Sequence, residues 1–260
     1  MFFYFTLALL LAPAKGEILF EPGVVDFTKI SNDLSSFSKI TGKGCPKKGG
    51  IVTGYSLARR CSDREGLWEI FVAGEPVSKN HRIISWDVPV QEWVTVAGKI
   101  HEKTRPEGKI LITGSSRLEK YGNLLKSEFI KSGLKVQLKL FSDEVSILKM
   151  VASLRKINRN RYWLIIPLDD PDVVTALVLK ELFQIQYRYG VKIFVRSKHE
   201  VLMGGLLSIE VAYTPTYINA VINGDNPQIK LKKHYNPDAC ESLDIPGKVF
   251  EKIKFTAISR

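Results

Sequence analysis

The sequence has few of the residues that build metal sites and disulfide frameworks. Its 260 residues include only three cysteines and four histidines, no two cysteines form a C-x-x-C pair, and the histidines are scattered. A structural zinc site needs four closely spaced ligands, so zinc is a poor match for this chain. In an oxidising compartment Cys45 and Cys61 are the candidate disulfide pair, and three unpaired thiols remain the competing interpretation.

Short repeats and low-complexity tracts are also absent, which argues against solenoid and disordered classes. The net charge is +11, and such a charge can favour anionic solutes, anionic membranes or nucleic acid. The lysines and arginines are dispersed and no nucleic-acid-binding motif appears, so nucleic acid is not an expected partner. A solvated basic surface is the simplest explanation of the charge.

The amino-terminal segment lacks charged side chains. Residues 1–14 combine an apolar run over 2–11 with the small residues Ala12, Pro13 and Ala14, a pattern typical of a secretory signal peptide. It departs from that pattern in having no early lysine or arginine, and it is too short to span a bilayer. We expect a signal peptide over 1–14, cleaved before Lys15, and a soluble periplasmic protein.

The most informative stretch runs from Arg161 to Ile209. Residues 163–168 form an apolar run typical of a strand that is buried on both faces, and helical spacing follows until Gly190. A second buried strand is predicted from 191 to 195. In this prediction Asp170 caps the helix. A strand, crossover helix and strand of this length form a parallel unit, which puts Asp169 and Asp170 at the carboxyl end of a strand, where ligands bind in open parallel sheets.

The rest of the chain alternates strands with helices, and this order calls for a parallel sheet. Further strands are predicted at 17–20, 51–54, 68–73, 109–113 and 135–141, and helices at 26–40, 56–61, 90–103, 117–132, 143–157 and 214–222.

Several runs resemble a known family. IPLDDPDVVTALVLKELFQIQYRYGVKIFV, SKHEVLMGGLLSIEVAY and YNPDACESLDIP are similar to the ABC transporter substrate-binding family that includes tryptophan- and tyrosine-type uptake proteins. IISWDVPVQEW resembles the family's hinge segment, and KILITGSSRLE resembles the first strand and turn of its second lobe. The resemblance implies an α/β fold of the type I periplasmic binding protein kind, with two doubly wound parallel-sheet lobes that are joined by a hinge.

The resemblance also implies the lobe boundaries. The first lobe is expected at 15–85 plus 206–234, and the second lobe at 86–205 plus 235–260. Family members usually carry a further strand and helix pair before the turn that matches Gly54–Ser56, and only about thirty residues are available for it here. We therefore expect a reduced first lobe that lacks this pair.

Candidate ligand contacts lie in turns at the carboxyl ends of strands, where backbone amides and helix amino termini can hold an anion. The turn that ends in Ser56 is expected to face the turn of Ser115 and Ser116 across a cleft, and the two aspartates would meet a cationic group. The plain alternative is that Ser56, Ser116 and Asp170 only cap helices. With the positions that the resemblance adds, the predicted ligand-binding residues are Gly54, Tyr55, Ser56, Glu75, Ser85, Ser115, Ser116, Asp169, Asp170 and Lys198.

The resemblance implies a solute-binding component of an ABC uptake transporter, which closes on a small molecule by hinge motion around 85–89 and delivers it to permease subunits. An amino acid is the first candidate solute, and no cofactor or catalytic residue is expected. A sensor or partner subunit that has lost uptake is one alternative, suggested by the reduced lobe.

A serine hydrolase is the other alternative. Gly54–Ala58 is close to the G-x-S-x-G elbow, with Ser56 as the nucleophile. Asp169 or Asp170 followed by His199 or His234 gives the acid and base in hydrolase order. However, Ala58 replaces the second glycine and no glycine-rich oxyanion loop precedes the motif.

Overall fold

The structure is a computed structural model that describes residues 16–19, 37–40, 44–48, 50–70, 76–84, 87–155, 161–168, 173–212 and 214–258. The chain divides into two compact units. Unit 1 contains the described residues up to 70 together with 76–84 and 214–216, and unit 2 contains 87–212 and 217–258. No helix in these ranges is both long enough and apolar enough to cross a membrane.

Among its described residues, unit 1 has a parallel sheet of five strands. In chain order its strands are β1 (Gly16–Leu19), β2 (Phe37–Ile40), β3 (Ile51–Thr53), β4 (Trp68–Ile70) and β5 (Arg82–Ile84), and helix α1 (Gly54–Arg60) follows β3. The spatial order is β2-β1-β3-β4-β5, and every neighbouring pair is parallel. This is a doubly wound sheet, because the chain moves outward from β1 on one side and then continues from β3 on the other.

Strand β2 corrects two sequence predictions. The helix predicted over 26–40 was wrong at its end, because Phe37–Ile40 is a strand that pairs with β1 in register from Gly16 to Leu19. The prediction that the chain lacks a strand between β1 and β3 was also wrong. Strand β2 follows β1 in the chain and lies beside it at the edge of the sheet. Four residues are too few for periodicity to separate a strand from a helix end.

Unit 2 is larger and contains the remaining elements. Its strands are β6 (Lys109–Ser115), β7 (Val136–Phe141), β8 (Tyr162–Pro167), β9 (Lys192–Val195), β10 (Leu207–Val211), β11 (Leu231–Tyr235) and β12 (Thr256–Ala257). Its helices are α2 (Val90–Thr104), α3 (Glu119–Lys131), α4 (Glu144–Leu154), α5 (Ala176–Tyr189), α6 (Lys198–Met203), α8 (Pro237–Ser242) and α9 (Lys248–Glu251). A 3₁₀ turn (Ser116–Leu118) precedes α3, and α7 (Pro215–Ile222) begins in unit 1 and continues into unit 2.

The seven strands that the structure describes in unit 2 are ordered β12-β11-β10-β9-β8-β6-β7. All described neighbours are parallel except β10 and β11. Apolar side chains fill both faces of the sheet. One core packs against α2, α3, α8 and α9, and the other packs against α4, α5 and α6. Burial on both faces explains why β8 reads as an unbroken apolar run.

The predicted assignment of 206–234 to the first lobe is corrected by strands β10 and β11. The structure pairs β10 with β9 and with β11, inside the sheet of unit 2, and only 214–216 from this region belongs to unit 1. The physical reason is this pairing, because apolar residues at Leu207, Ile209 and Val211 predict a strand but do not determine which sheet the strand joins. Strand β5, which lies before the predicted hinge, was not predicted at all.

The start of α5 also differs from the prediction. Asp170 was expected to cap it, but the helix begins at Ala176, where the Thr175 hydroxyl accepts a hydrogen bond from the Val178 amide at 3.4 Å. The Thr175 hydroxyl itself donates to the Glu144 carboxylate of α4, which fixes this helix start to its neighbour. The predicted end at Gly190 is confirmed, with the glycine at φ 71°.

A buried glutamate organises unit 1 beside the disulfide. Cys45 and Cys61 are bonded, with their Cα atoms 5.7 Å apart, which settles the alternatives left by the sequence. Glu69 of β4 is fully buried and accepts hydrogen bonds from the Val77 amide (2.7 Å) and the Ser78 amide (3.1 Å). The His81 ring joins Glu69 Oε1 at 2.7 Å to the Cys61 carbonyl at 3.0 Å. The carboxylate therefore ties the segment before β5 to both β4 and the disulfide.

Replacement of the carboxylate should destabilise unit 1. We expect Glu69→Gln to lower the free energy of unfolding by about 1 to 3 kcal/mol, because the NH2 group of glutamine cannot accept the hydrogen bond that one carboxylate oxygen accepts, which leaves a buried amide unsatisfied. Urea unfolding followed by circular dichroism measures this loss. Glu65→Gln is the matched control, since Glu65 is exposed. Equal urea midpoints for the two variants would contradict the role given to Glu69.

Cys240 should be unreactive in the folded chain. It is the free cysteine, it is buried in α8, and burial raises the pKa of its thiol to about 12. Only the thiolate attacks disulfide reagents, so we expect no labelling of the folded protein between about pH 7 and pH 10. In denaturant without reductant, one thiol per chain should react. Labelling of Cys45 or Cys61 under those conditions would show that the disulfide is absent.

Candidate functional site

The strands β6 and β8 form the switch point of the sheet in unit 2. From β6 the chain moves to β7 at one edge, and from β8 it moves to β9 on the opposite side. The connections after these neighbouring strands therefore leave in opposite directions, which opens a crevice at the carboxyl ends of the strands. The two strands run in register from Ile110 and Leu164 to Thr113 and Pro167.

The crevice has a narrow floor where the two strands end. The Leu168 amide donates to the Thr113 carbonyl at 2.6 Å, which continues the pairing one residue beyond β8. Gly114 lies directly against this segment, because a Cβ atom at Gly114 would be 2.7 Å from the Leu168 carbonyl oxygen and 2.8 Å from the Leu168 Cβ. Only glycine permits this approach. The residues that follow β6 and β8 therefore start from adjacent points.

Ser115 and Ser116 occupy different environments at the end of β6. The Ser115 side chain is buried and its hydroxyl accepts a hydrogen bond from the Arg117 amide at 3.2 Å, so it caps the 3₁₀ turn. Ser116 is exposed. The capping role that the sequence offered for Ser116 therefore belongs to Ser115.

The end of β9 adds charged side chains to the same edge of the sheet. Ser197 and Glu200 form a capping box at the start of α6, and Arg196 Nη2 lies 3.6 Å from Glu200 Oε1. Lys198 is exposed, and its backbone amide donates to the Glu210 carboxylate of β10. The structure thus places Lys198 at the turn that follows the carboxyl end of β9.

A small cavity of about 40 Å³ lies beside β8, β9 and β10. Its lining is mostly apolar and includes Trp93, Leu118 and Leu168, with Asp87 and Arg196 as the charged members. A cavity this small holds roughly one to three water-sized groups, whereas solute pockets span roughly 300 to 1,000 Å³. It can therefore supply one wall of a solute site and needs further contacts to enclose a solute.

A hydrogen-bond relay runs through the cavity wall. The Trp93 indole Nε1 donates to the Tyr121 hydroxyl at 3.0 Å, and the Tyr121 hydroxyl donates to the Val88 carbonyl at 2.7 Å. Burial raises the pKa of Tyr121, the Asp87 charge raises it further, and the Trp93 hydrogen bond opposes both. Tyr121 is therefore a neutral donor at physiological pH, and it fixes the first residues of unit 2 to α3.

The remaining predicted residues fall into two groups. Gly54, Tyr55 and Ser56 follow β3 in unit 1, as expected for a carboxyl-end turn, but α1 already begins at Gly54, so Ser56 lies within its first turn. The other group, which consists of Glu75, Ser85, Asp169 and Asp170, lies outside the described residues.

Sequence reasoning missed Asp87, Trp93, Tyr121 and Arg196. Arg196 directly follows a predicted strand, so the carboxyl-end rule that selected the aspartates was sufficient to find it. Trp93 and Tyr121 are on helices, where an apolar pattern does not distinguish a core residue from a cavity wall. Within the described ranges, no three His, Cys, Asp or Glu residues are grouped to bind a metal ion.

Comparison with known proteins matched neither a family model nor a curated protein. Solved structures do match. The ABC domain in complex with L-Trp from Streptococcus pneumonia has a TM-score of 0.64 at 15% identity, over 93% of this chain and 99% of that one. A conserved domain protein from Vibrio cholerae has a TM-score of 0.65 at 15% identity, over 95% of this chain and 100% of that one.

These similarities extend over nearly the whole chain and agree with the two doubly wound units described above. At 15% identity they bear on the fold rather than on the ligand. The chain has the fold of the type I periplasmic binding proteins.

Proposed function

We propose that the chain is the solute-binding component of an ABC uptake transporter, acting in the periplasm and passing a small solute to permease subunits. The observation that carries the proposal is the crevice between β6 and β8, which opens beside a cavity bearing both Asp87 and Arg196. A carboxylate and a guanidinium at one apolar cavity suit a solute with an ammonium and a carboxylate group. The structural neighbour that binds L-Trp supports an amino acid as the solute class.

In this proposal the cavity in unit 2 forms one wall of the binding site. Gly54, Tyr55 and Ser56 of unit 1 provide amides at the start of α1, where a carboxylate is favoured by the helix dipole. The other proposed contacts are Glu75, Ser85, Ser115, Ser116, Asp169, Asp170 and Lys198. Hinge motion around 85–89 closes the lobes on the solute, which stabilises the closed state through contacts that the open state lacks.

The two alternatives receive less support. The sensor or partner interpretation depended on a missing strand, and β2 supplies that strand. A nucleophile elbow requires the serine at the junction of strand and helix, yet α1 begins two residues before Ser56. Of the candidate bases, His199 is exposed, and His234 Nδ1 lies 3.4 Å from Glu210 Oε1 on the neighbouring strand. These contacts favour binding over catalysis.

A ligand panel tests the proposal. At a hundredfold excess over its dissociation constant, a bound solute adds about 2.7 kcal/mol of stability. For a chain of this size the melting temperature should rise by about 5 to 10 °C. The panel contains amino acids, small organic acids and purines, and thermal unfolding is the measurement.

Arg196→Gln should abolish the rise, because the solute carboxylate loses its guanidinium partner. Arg188→Gln, an exposed position on α5, is the matched control and should keep it. If no solute raises the melting temperature of the wild-type chain, uptake is not its function. An equal loss in both variants would show that Arg196 has no specific role.

A further inference from the structure

The wall of the 40 Å³ cavity has no free hydrogen-bond donor in its aromatic part. The Trp93 indole has a single N–H, which is bonded to Tyr121, and the single Tyr121 proton is directed to the Val88 carbonyl. A hydrogen-bond acceptor that entered between these rings would lose its hydrogen bonds to water without replacement, because both donors are already used. This part of the cavity therefore favours an apolar group over a carbonyl or a carboxylate.

The size of the cavity limits that group further. One water-sized group needs roughly 10 to 15 Å³ of such space, so the cavity accommodates roughly three heavy atoms. An isopropyl group has three, whereas an indole ring has many more. Leu118, in the 3₁₀ turn after β6, is 1% exposed, and its side chain forms one side of the cavity.

We propose that this cavity is a specificity subsite for a short aliphatic side chain of the solute, and that Leu118 limits the length of that side chain. The inference rests on the proposed function. Among the amino acids that the proposed function allows, the subsite would exclude those with large aromatic side chains. Voids of this size also occur in ordinary cores. The position of this one, beside Arg196 at the carboxyl ends of β8 and β9, distinguishes it from a packing defect.

Calorimetric titration with alanine, valine, leucine and tryptophan tests the subsite. In the wild-type chain we expect valine to bind about tenfold more tightly than alanine, because a filled apolar pocket discriminates by its missing methylenes. Leucine should bind more weakly than valine, and tryptophan should not bind detectably. Leu118→Ala should make leucine bind more tightly than valine. The smaller truncation Leu118→Val should also shift the ratio of the two affinities toward leucine.

Leu125→Ala is the matched control. Leu125 is fully buried in the same core but does not line the cavity, so its truncation loses a similar apolar contact without enlarging the subsite. Its stability should fall, while the order of the four solutes should stay that of the wild type.

The possible failures can be told apart. If the wild-type chain binds tryptophan more tightly than valine, the subsite assignment is overturned while the proposed function stands. The same conclusion follows if the Leu118 and Leu125 variants share one order of affinities. If the wild-type chain binds none of the four amino acids and nothing on the wider panel, the proposed function and the subsite fail together.

Discussion

The contact between Gly114 and Leu168 is the constraint on which the site depends. The Leu168 amide reaches the Thr113 carbonyl at 2.6 Å, and the absence of a side chain at Gly114 leaves the space for that approach. The two strands therefore stay paired to their last residues and separate only after them. Without this contact, the segments after β6 and β8 would begin at a greater distance, and the crevice would have no defined floor.

The same strand order is found in both units, and this gives the proposed function its structural basis. The sheet of unit 1 has the order β2-β1-β3-β4-β5, and β7-β6-β8-β9-β10 repeats that order in unit 2. Each unit therefore has its own switch point, between β1 and β3 and between β6 and β8. Helix α1 in unit 1 and the 3₁₀ turn in unit 2 begin directly after the central strands at these points. In both units a helical segment thus begins at the carboxyl end of the sheet, which is the position where ligands bind in open parallel sheets.

Much of the fold could be predicted from local patterns. The apolar run of β8 and the stop at Gly190 need no distant information, and the predicted helix at 90–103 matches Val90–Thr104. The prediction for the segment of β2 was wrong because Phe37 and Ile40 fit helical spacing. Only the pairing with β1 makes this segment a strand. The predicted assignment of β10 to the first lobe was wrong for a related reason. Its alternation predicts a strand, but the sheet to which it belongs is decided by contacts with β9 and β11.

The site could be predicted less well than the fold. The rule that ligands gather at carboxyl ends selected Ser115, which lies at the end of β6, but the rule does not identify the cavity between the helices and the sheet. Tyr121 is distant in sequence from both Trp93 and Val88, and the hydrogen bonds that join them form because α2 and α3 pack together. The hydrogen-bond partner of a core tyrosine hydroxyl cannot be predicted from the sequence around that tyrosine. The charge of Asp87 beside that hydroxyl is likewise visible only in three dimensions.

The most direct test of the account is a crystal structure of the chain with the solute that co-purifies with it. The account predicts solute atoms within hydrogen-bonding distance of the residues that follow β6 and β8, with an apolar group directed toward Leu118. A solute bound at the opposite, amino-terminal ends of these strands, beside His101 and Lys135, would contradict it.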